Sequence, residues 1–123
     1  MTAWTNDELT KIEAADELEI APFRPDGTLR NSTTIWVVRL GDDLYVRSVN
    51  GRTSSWFRGV QDRHEAQIRS GGVEKEVLLV EVDDINDEID TAYRTKYHRY
   101  AANIVDSIVT PEARAATLHL VPR

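Results

Sequence analysis

Ten consecutive residues, Arg47-Ser48-Val49-Asn50-Gly51-Arg52-Thr53-Ser54-Ser55-Trp56, hold the densest set of groups in this chain that suit capture of a small anion. A planar guanidinium donates paired hydrogen bonds to a phosphate or carboxylate. Where a strand runs through a polar glycine loop into a helix, unpaired backbone N–H groups and the positive end of the helix dipole converge. The run therefore predicts an anion cradle made by Arg47, Ser48, Asn50, Arg52, Ser54 and Ser55, with Trp56 beside any aromatic ring the ligand carries. Arg30 and Thr33 join it if the preceding hairpin brings them near. The competing reading is a capped loop with solvated arginines and Trp56 as a half-buried anchor.

The distribution of charge points the same way. The 123 residues carry a net charge of −6, yet residues 24–69 hold eight arginines, no lysine and five acids, a balance of +3. The flanks, residues 1–23 and 70–123, stand at −5 and −4. An acidic chain overall argues against a nucleic-acid partner. With 41% hydrophobic and 29% charged residues, the composition is that of a folded domain rather than a disordered one.

Other chemistries find little support. There is no cysteine, so thiolate catalysis, disulfides and cysteine metal sites are excluded, in keeping with a reducing cytoplasm. His64, His98 and His119 fall in three separate elements without ligand spacing. Asp42-Asp43 and Asp83-Asp84 sit at a turn and at a helix start, where acids have structural reasons to be. No nucleophile elbow, Walker loop or dinucleotide fingerprint is present. Met1–Leu9 lacks the pattern of a signal peptide, and no apolar run reaches the roughly 20 residues of a spanning helix.

The elements that must position the loop follow from periodicity. Thr5-Asn6-Asp7-Glu8 reads as a capping box opening a helix to about Ala15. Residues 18–22 alternate as a first strand, and Arg24-Pro25-Asp26-Gly27-Thr28 turns the chain. Residues 33–40 and 44–49 form a hairpin about Gly41-Asp42-Asp43, the first strand apolar on both faces. A short helix spans Trp56 to about Arg63, followed by a second hairpin, 65–69 and 73–82, around Ser70-Gly71-Gly72. Ile85, Ile89, Tyr93, Tyr97, Tyr100 and Ile104 recur at helical spacing and predict one long helix with a packing stripe. Thr117–Val121 is a final strand. A single α+β domain over residues 1–123 is expected.

Taken together, these segments resemble a family of small bacterial proteins, domain-of-unknown-function family 2255. The likeness rests on Trp4-Thr5 with Glu8-Leu9, Ala14–Leu18, Arg24–Leu29, Thr34–Arg39, Gly41–Ser48, Trp56-Phe57, Ile68–Glu74, Ala92–Tyr97 and Thr117–Arg123. The order of elements is also similar to split β-barrel flavin-binding proteins, in particular the deazaflavin-dependent nitroreductase and quinone-reductase type. That resemblance implies a split β-barrel of about six antiparallel strands, with an N-terminal helix, a short helix after the second hairpin strand and a longer C-terminal helix. It implies FMN or a deazaflavin as cofactor, its phosphate on Arg47–Trp56, in a homodimer acting as a small reductase. The loop has no lysine at the phosphate position, so Arg47 or Arg52 takes that place. The alternative is a non-enzymatic homodimeric binding module of the same fold that has lost the cofactor.

Overall fold

The computed structural model describes residues 3–123. Met1 and Thr2, which open the segment read above for a signal peptide, lie outside them. The capping box forms as expected: Glu8 N donates to Thr5 Oγ1 at 3.1 Å and Thr5 N to Glu8 Oε1 at 2.9 Å, opening α1 (Asn6–Ala14). Leu9 and Ile12 are its buried residues. β1 (Leu18–Pro22) alternates buried and half-buried positions, as its sequence does.

The stretch 33–40 is where expectation and structure part. It is two strands, β2 (Thr33–Ile35) and β3 (Val37–Leu40), interrupted at Trp36. β3 forms the expected hairpin with β4 (Asp43–Arg47), Val37 opposite Val46, whereas β2 turns away to pair with β1. Next come α2 (Ser55–Arg63), β5 (Glu65–Ser70) and β6 (Val73–Glu81), the last two forming the second hairpin. β7 (Thr117–Pro122) lies between β6 and β4. The sheet is antiparallel throughout, in the order β2-β1-β5-β6-β7-β4-β3. Its two outermost strands are thus joined by the single residue Trp36, which almost closes the sheet into a split barrel of seven strands.

The expected long helix is also divided. α3 (Asn86–Lys96) ends at Tyr97, and α4 (Ala102–Asp106) and α5 (Pro111–Arg114) follow as short pieces. Thr95, Tyr97 and His98 are weak helix formers. The Tyr97 hydroxyl is also held by strand and loop backbone, accepting from Val37 N at 3.2 Å and donating to Asp16 O at 2.6 Å. The stripe packs through Ile89, Tyr93 and Tyr97, but Ile104 on α4 is 45% exposed. No helix among the described residues is long and apolar enough to cross a membrane.

Two apolar clusters hold the layers together. One fills the barrel, with Leu18, Ile20, Val37, Val46, Phe57, Ile68 and Leu120 among its buried members. The other lies between the outer face of β3–β4 and α3, where Val38 and Tyr45 meet Ile89, Tyr93 and Tyr97. Val37 and Val38 therefore point into different clusters, as a strand covered on both faces requires. The β5–β6 turn docks closely on α1. A Cβ at Gly71, whose φ is +58°, would stand 2.3 Å from Lys11 O, so only glycine fits there.

Candidate functional site

β4 delivers Arg47 and Ser48 to the end of the barrel, and the loop after it is held by its neighbours. Ser48 N donates to Ala116 O at 3.2 Å, and Gly51 N donates to Ser48 O at 3.0 Å. Gly51 has φ +74° and lies against α5, where a Cβ would come within 3.3 Å of Glu112 O. Ser54 is the N-cap of α2, its hydroxyl accepting from Phe57 N at 3.4 Å.

Beside this loop lies a cavity of about 330 Å³. Of the predicted residues it gathers Arg47, Ser48, Asn50, Ser54 and Trp56, and Thr33 with them. Trp36 forms part of another wall, its ring stacked on Tyr97 at 3.8 Å and 3°. Apolar side chains complete it: Ile35, Ile108 and, at the rim, Val49 and Ile104, which are 48% and 45% exposed.

Ser48 and Ser54 form a hydroxyl pair at 2.7 Å. Whichever of the two donates, the pair keeps one hydroxyl proton with no protein acceptor among the described residues. Asn50 and Thr33 likewise have side chains without hydrogen-bond partners there.

The two arginines are placed otherwise than predicted. Arg47 is fully buried. Its Nε donates to Thr117 Oγ1 at 3.0 Å; Nη1 donates to Asp90 Oδ1 at 2.5 Å and Ile108 O at 3.2 Å; Nη2 donates to Asn86 O at 3.1 Å and Asn86 Oδ1 at 2.9 Å. A guanidinium has five N–H groups, and these bonds engage all five. Arg47 therefore ties β4 to α3 and β7, and has no donor left for a ligand. The cost of burying its charge is met by Asp90, which Arg114 also approaches at 3.3 Å.

Arg52 lies outside the cavity. Its Nη1 donates to Glu81 Oε1 at 2.5 Å and to Ala115 O at 3.0 Å, and the pairing holds the Glu81 carboxyl below its usual range. Ser55 faces a separate depression with Arg58 and Arg30, and Arg30 is itself paired to Asp62 at 2.6 Å. The expected phosphate cradle is not assembled: Arg47 is sequestered, and Arg52, Ser55 and Arg30 lie elsewhere.

The wider charge pattern has the same explanation. Six of the eight central arginines, at 30, 39, 47, 52, 63 and 69, lie within 4.0 Å of a carboxylate. Four of those arginines reach into the acidic flanks, to Glu13, Glu19, Glu74, Glu81 and Asp90. The histidines remain apart: His64 caps α2, His98 lies on Thr95 O, and His119 lies 3.1 Å from Asp43. Among the described residues no group of three His, Asp or Glu side chains is arranged to hold a metal ion.

The sequence profile of a family described as uncharacterized protein conserved in bacteria (DUF2255) matches residues 8–120. The chain belongs to that family. A comparison with curated proteins returned no match. Among solved structures, this DUF2255 chain is similar to a Listeria innocua protein named as a candidate pyridoxamine 5'-phosphate oxidase. The TM-score is 0.67 at 14% identity, covering 96% of this chain and 92% of the other. An F420 reductase aligns at TM-score 0.60 and 17% identity, over 93% and 90% of the two chains. HutZ, the heme storage protein of Vibrio cholerae, aligns at 0.65 and 10%, over 99% and 92%. At such identities the likeness establishes the fold, the split barrel of FMN-binding proteins.

Sequence reasoning missed Trp36, Ile104, Ser107 and Ile108, which also line the cavity. Trp36 read as an ordinary strand residue because no glycine or proline marks the break. The helix carrying Ile104 read as continuous with α3, which placed it in a packing stripe.

Proposed function

We propose that this DUF2255 protein binds a flavin or deazaflavin ring in the cavity between Trp36, Ser48 and Trp56, and acts as a small reductase. The observation that carries the reading is the cavity itself. Two indoles and an apolar rim offer a flat heterocycle contact area, and unpartnered hydroxyl and amide groups suit its ring carbonyls and nitrogens. A bound flavin-type ring supplies the electron transfer. The chain's own part is to hold and orient the ring and keep water from it. A dedicated catalytic side chain is then unnecessary, and none is found among the described residues lining the cavity. The rim residues Val49 and Ile104 are placed to be covered by the ligand or by a second copy of the chain in a homodimer. Solved neighbours that include an F420 reductase and a candidate pyridoxamine 5'-phosphate oxidase support the reading.

One observation favours the second reading, a non-enzymatic binding module that has lost the cofactor: Arg47, the best-placed guanidinium, is fully engaged within the protein. The two readings separate on titration of purified protein with riboflavin, FMN and a deazaflavin, followed by absorbance and indole fluorescence. The proposal expects micromolar ring binding that quenches Trp36 and Trp56, and oxidation of the reduced, bound ring by a quinone or nitroaromatic acceptor. Absence of ring binding at that level removes the cofactor reading; binding without turnover leaves only the module.

A further inference from the structure

We infer that the cavity recognises an uncharged heteroaromatic ring and leaves a phosphate group unrecognised, so that a flavin is held through its ring and the dephosphorylated riboflavin serves as ligand as well as FMN does. This rests on the ring-binding reading above and concerns which part of the ligand the protein holds.

The cavity's electrostatics carry the inference. Among the described residues lining it, Arg47 is the single ionisable one, and its five N–H groups all donate within the protein. To meet a phosphate it would have to leave Asp90 and its four other acceptors, giving up a fully matched buried guanidinium and leaving the half-buried Asp90 carboxylate to Arg114 alone. Arg52 lies beyond the loop against Glu81, and Arg58 stands in the separate depression beside Ser55. A phosphate dianion entering the cavity would shed water and find no free cation among the described lining residues to replace it. The chain's net charge of −6 disfavours its approach as well.

The groups that remain available suit neutral polar atoms. The Ser48–Ser54 pair keeps one proton free to donate to a carbonyl oxygen. The Asn50 amide both donates and accepts, and the Thr33 hydroxyl does the same. A volume of about 330 Å³ lies at the low end of small-molecule sites, in keeping with a ring system without a nucleotide tail.

The test is a paired titration with riboflavin and FMN at low and high salt, following quenching of flavin fluorescence, on the full chain and on Arg52→Ala and Arg58→Ala. The inference expects FMN to bind no more than about threefold tighter than riboflavin. It expects both affinities to be flat with salt, and both arginine variants to leave them unchanged. Asn50→Ala, at an exposed position whose side chain has no hydrogen-bond partner among the described residues, should weaken both ligands alike. An FMN preference larger than about threefold, erased by salt or by either arginine variant, overturns this inference while leaving ring binding intact. Failure of both ligands to bind overturns it together with the reading it rests on.

Discussion

Two polar clusters flank the cavity, and they are completed in different ways. Under β4, Arg47 meets a carboxylate, two carbonyls, an amide oxygen and a hydroxyl, so that every donor has an acceptor and the charge has a counter-charge. At the Trp36 break, Lys96 and Tyr97 clamp α3 to β3 with backbone partners. Lys96 Nζ donates to Val37 O at 2.7 Å, and Tyr97 Oη takes Val37 N and gives to Asp16 O. No carboxylate is hydrogen-bonded to that ammonium among the described residues. One wall of the cavity is thus anchored by a matched ion pair, and the other by a half-buried, titratable amine. An arginine in a loop signals an anion site only while its donors are free, and folding decides that.

The sharpest way to break this comparison is Arg47→Met. Removing the buried member of this part-buried pair leaves acceptors of Asp90 and Asn86 unmatched, a loss of up to about 3–5 kcal/mol. Arg114 remains near Asp90 at 3.3 Å, which places the expected loss towards the lower figure. Urea denaturation measures it. In the double variant Arg47→Met, Asp90→Leu part of the loss should return, because the orphaned charge goes too. A cost below about 1 kcal/mol for the single change would mean that the guanidinium is not structural, reviving it as a ligand group.

How much of this was legible follows from how far apart the partners are in sequence. The capping box at Thr5–Glu8, the turn at Arg24–Thr28 and the hairpin at Ser70–Gly72 are local, and each formed where its residues indicated. The loop from Arg47 to Trp56 was found as the place where a strand meets a helix, and five of its seven predicted site residues line the cavity. Arg47's fate was not legible, since Asp90 is 43 residues away and Thr117 is 70. The arginine excess of residues 24–69 suggested an external anion. It is largely answered from within by acids of the flanks, a match that composition cannot display. The break at Trp36 was hidden because pairing partners chosen across the barrel, rather than a local breaker residue, impose it.

A smaller effect separates the two tyrosines that α3 presents. Tyr97→Phe leaves Val37 N and Asp16 O without the hydroxyl that joins them, at a cost of about 1–3 kcal/mol. Tyr93 is as deeply buried, beneath the Arg47 guanidinium, yet its hydroxyl has no hydrogen-bond partner among the described residues. Tyr93→Phe removes an unsatisfied polar atom and should be neutral or stabilising. Thermal denaturation of the two variants side by side should show a loss for Tyr97→Phe and none for Tyr93→Phe. A Tyr93→Phe loss as large as that of Tyr97→Phe would show an unseen partner for the Tyr93 hydroxyl.

The smallest expected effect is a dependence on pH that belongs to the clamp. Burial lowers the Lys96 ammonium from its ordinary 10.5 to about 8, against the pull of Asp16 and Glu13. The folded chain then releases this proton near pH 8, whereas the unfolded chain keeps it to about 10.5. Between those values the unfolded state binds more protons, so Lys96 makes stability rise with pH across that window, a contribution lost as pH falls through 8. Tyr93 and Tyr97 act in the opposite sense. Burial raises both phenols, so above pH 10 the unfolded chain releases protons that the folded chain holds, and stability declines. Urea midpoints should therefore climb from pH 8 towards 10 and then fall. In Lys96→Met the climb should vanish while the fall above pH 10 remains. A climb of equal size in that variant would place the titrating group elsewhere and remove the asymmetry between the two walls.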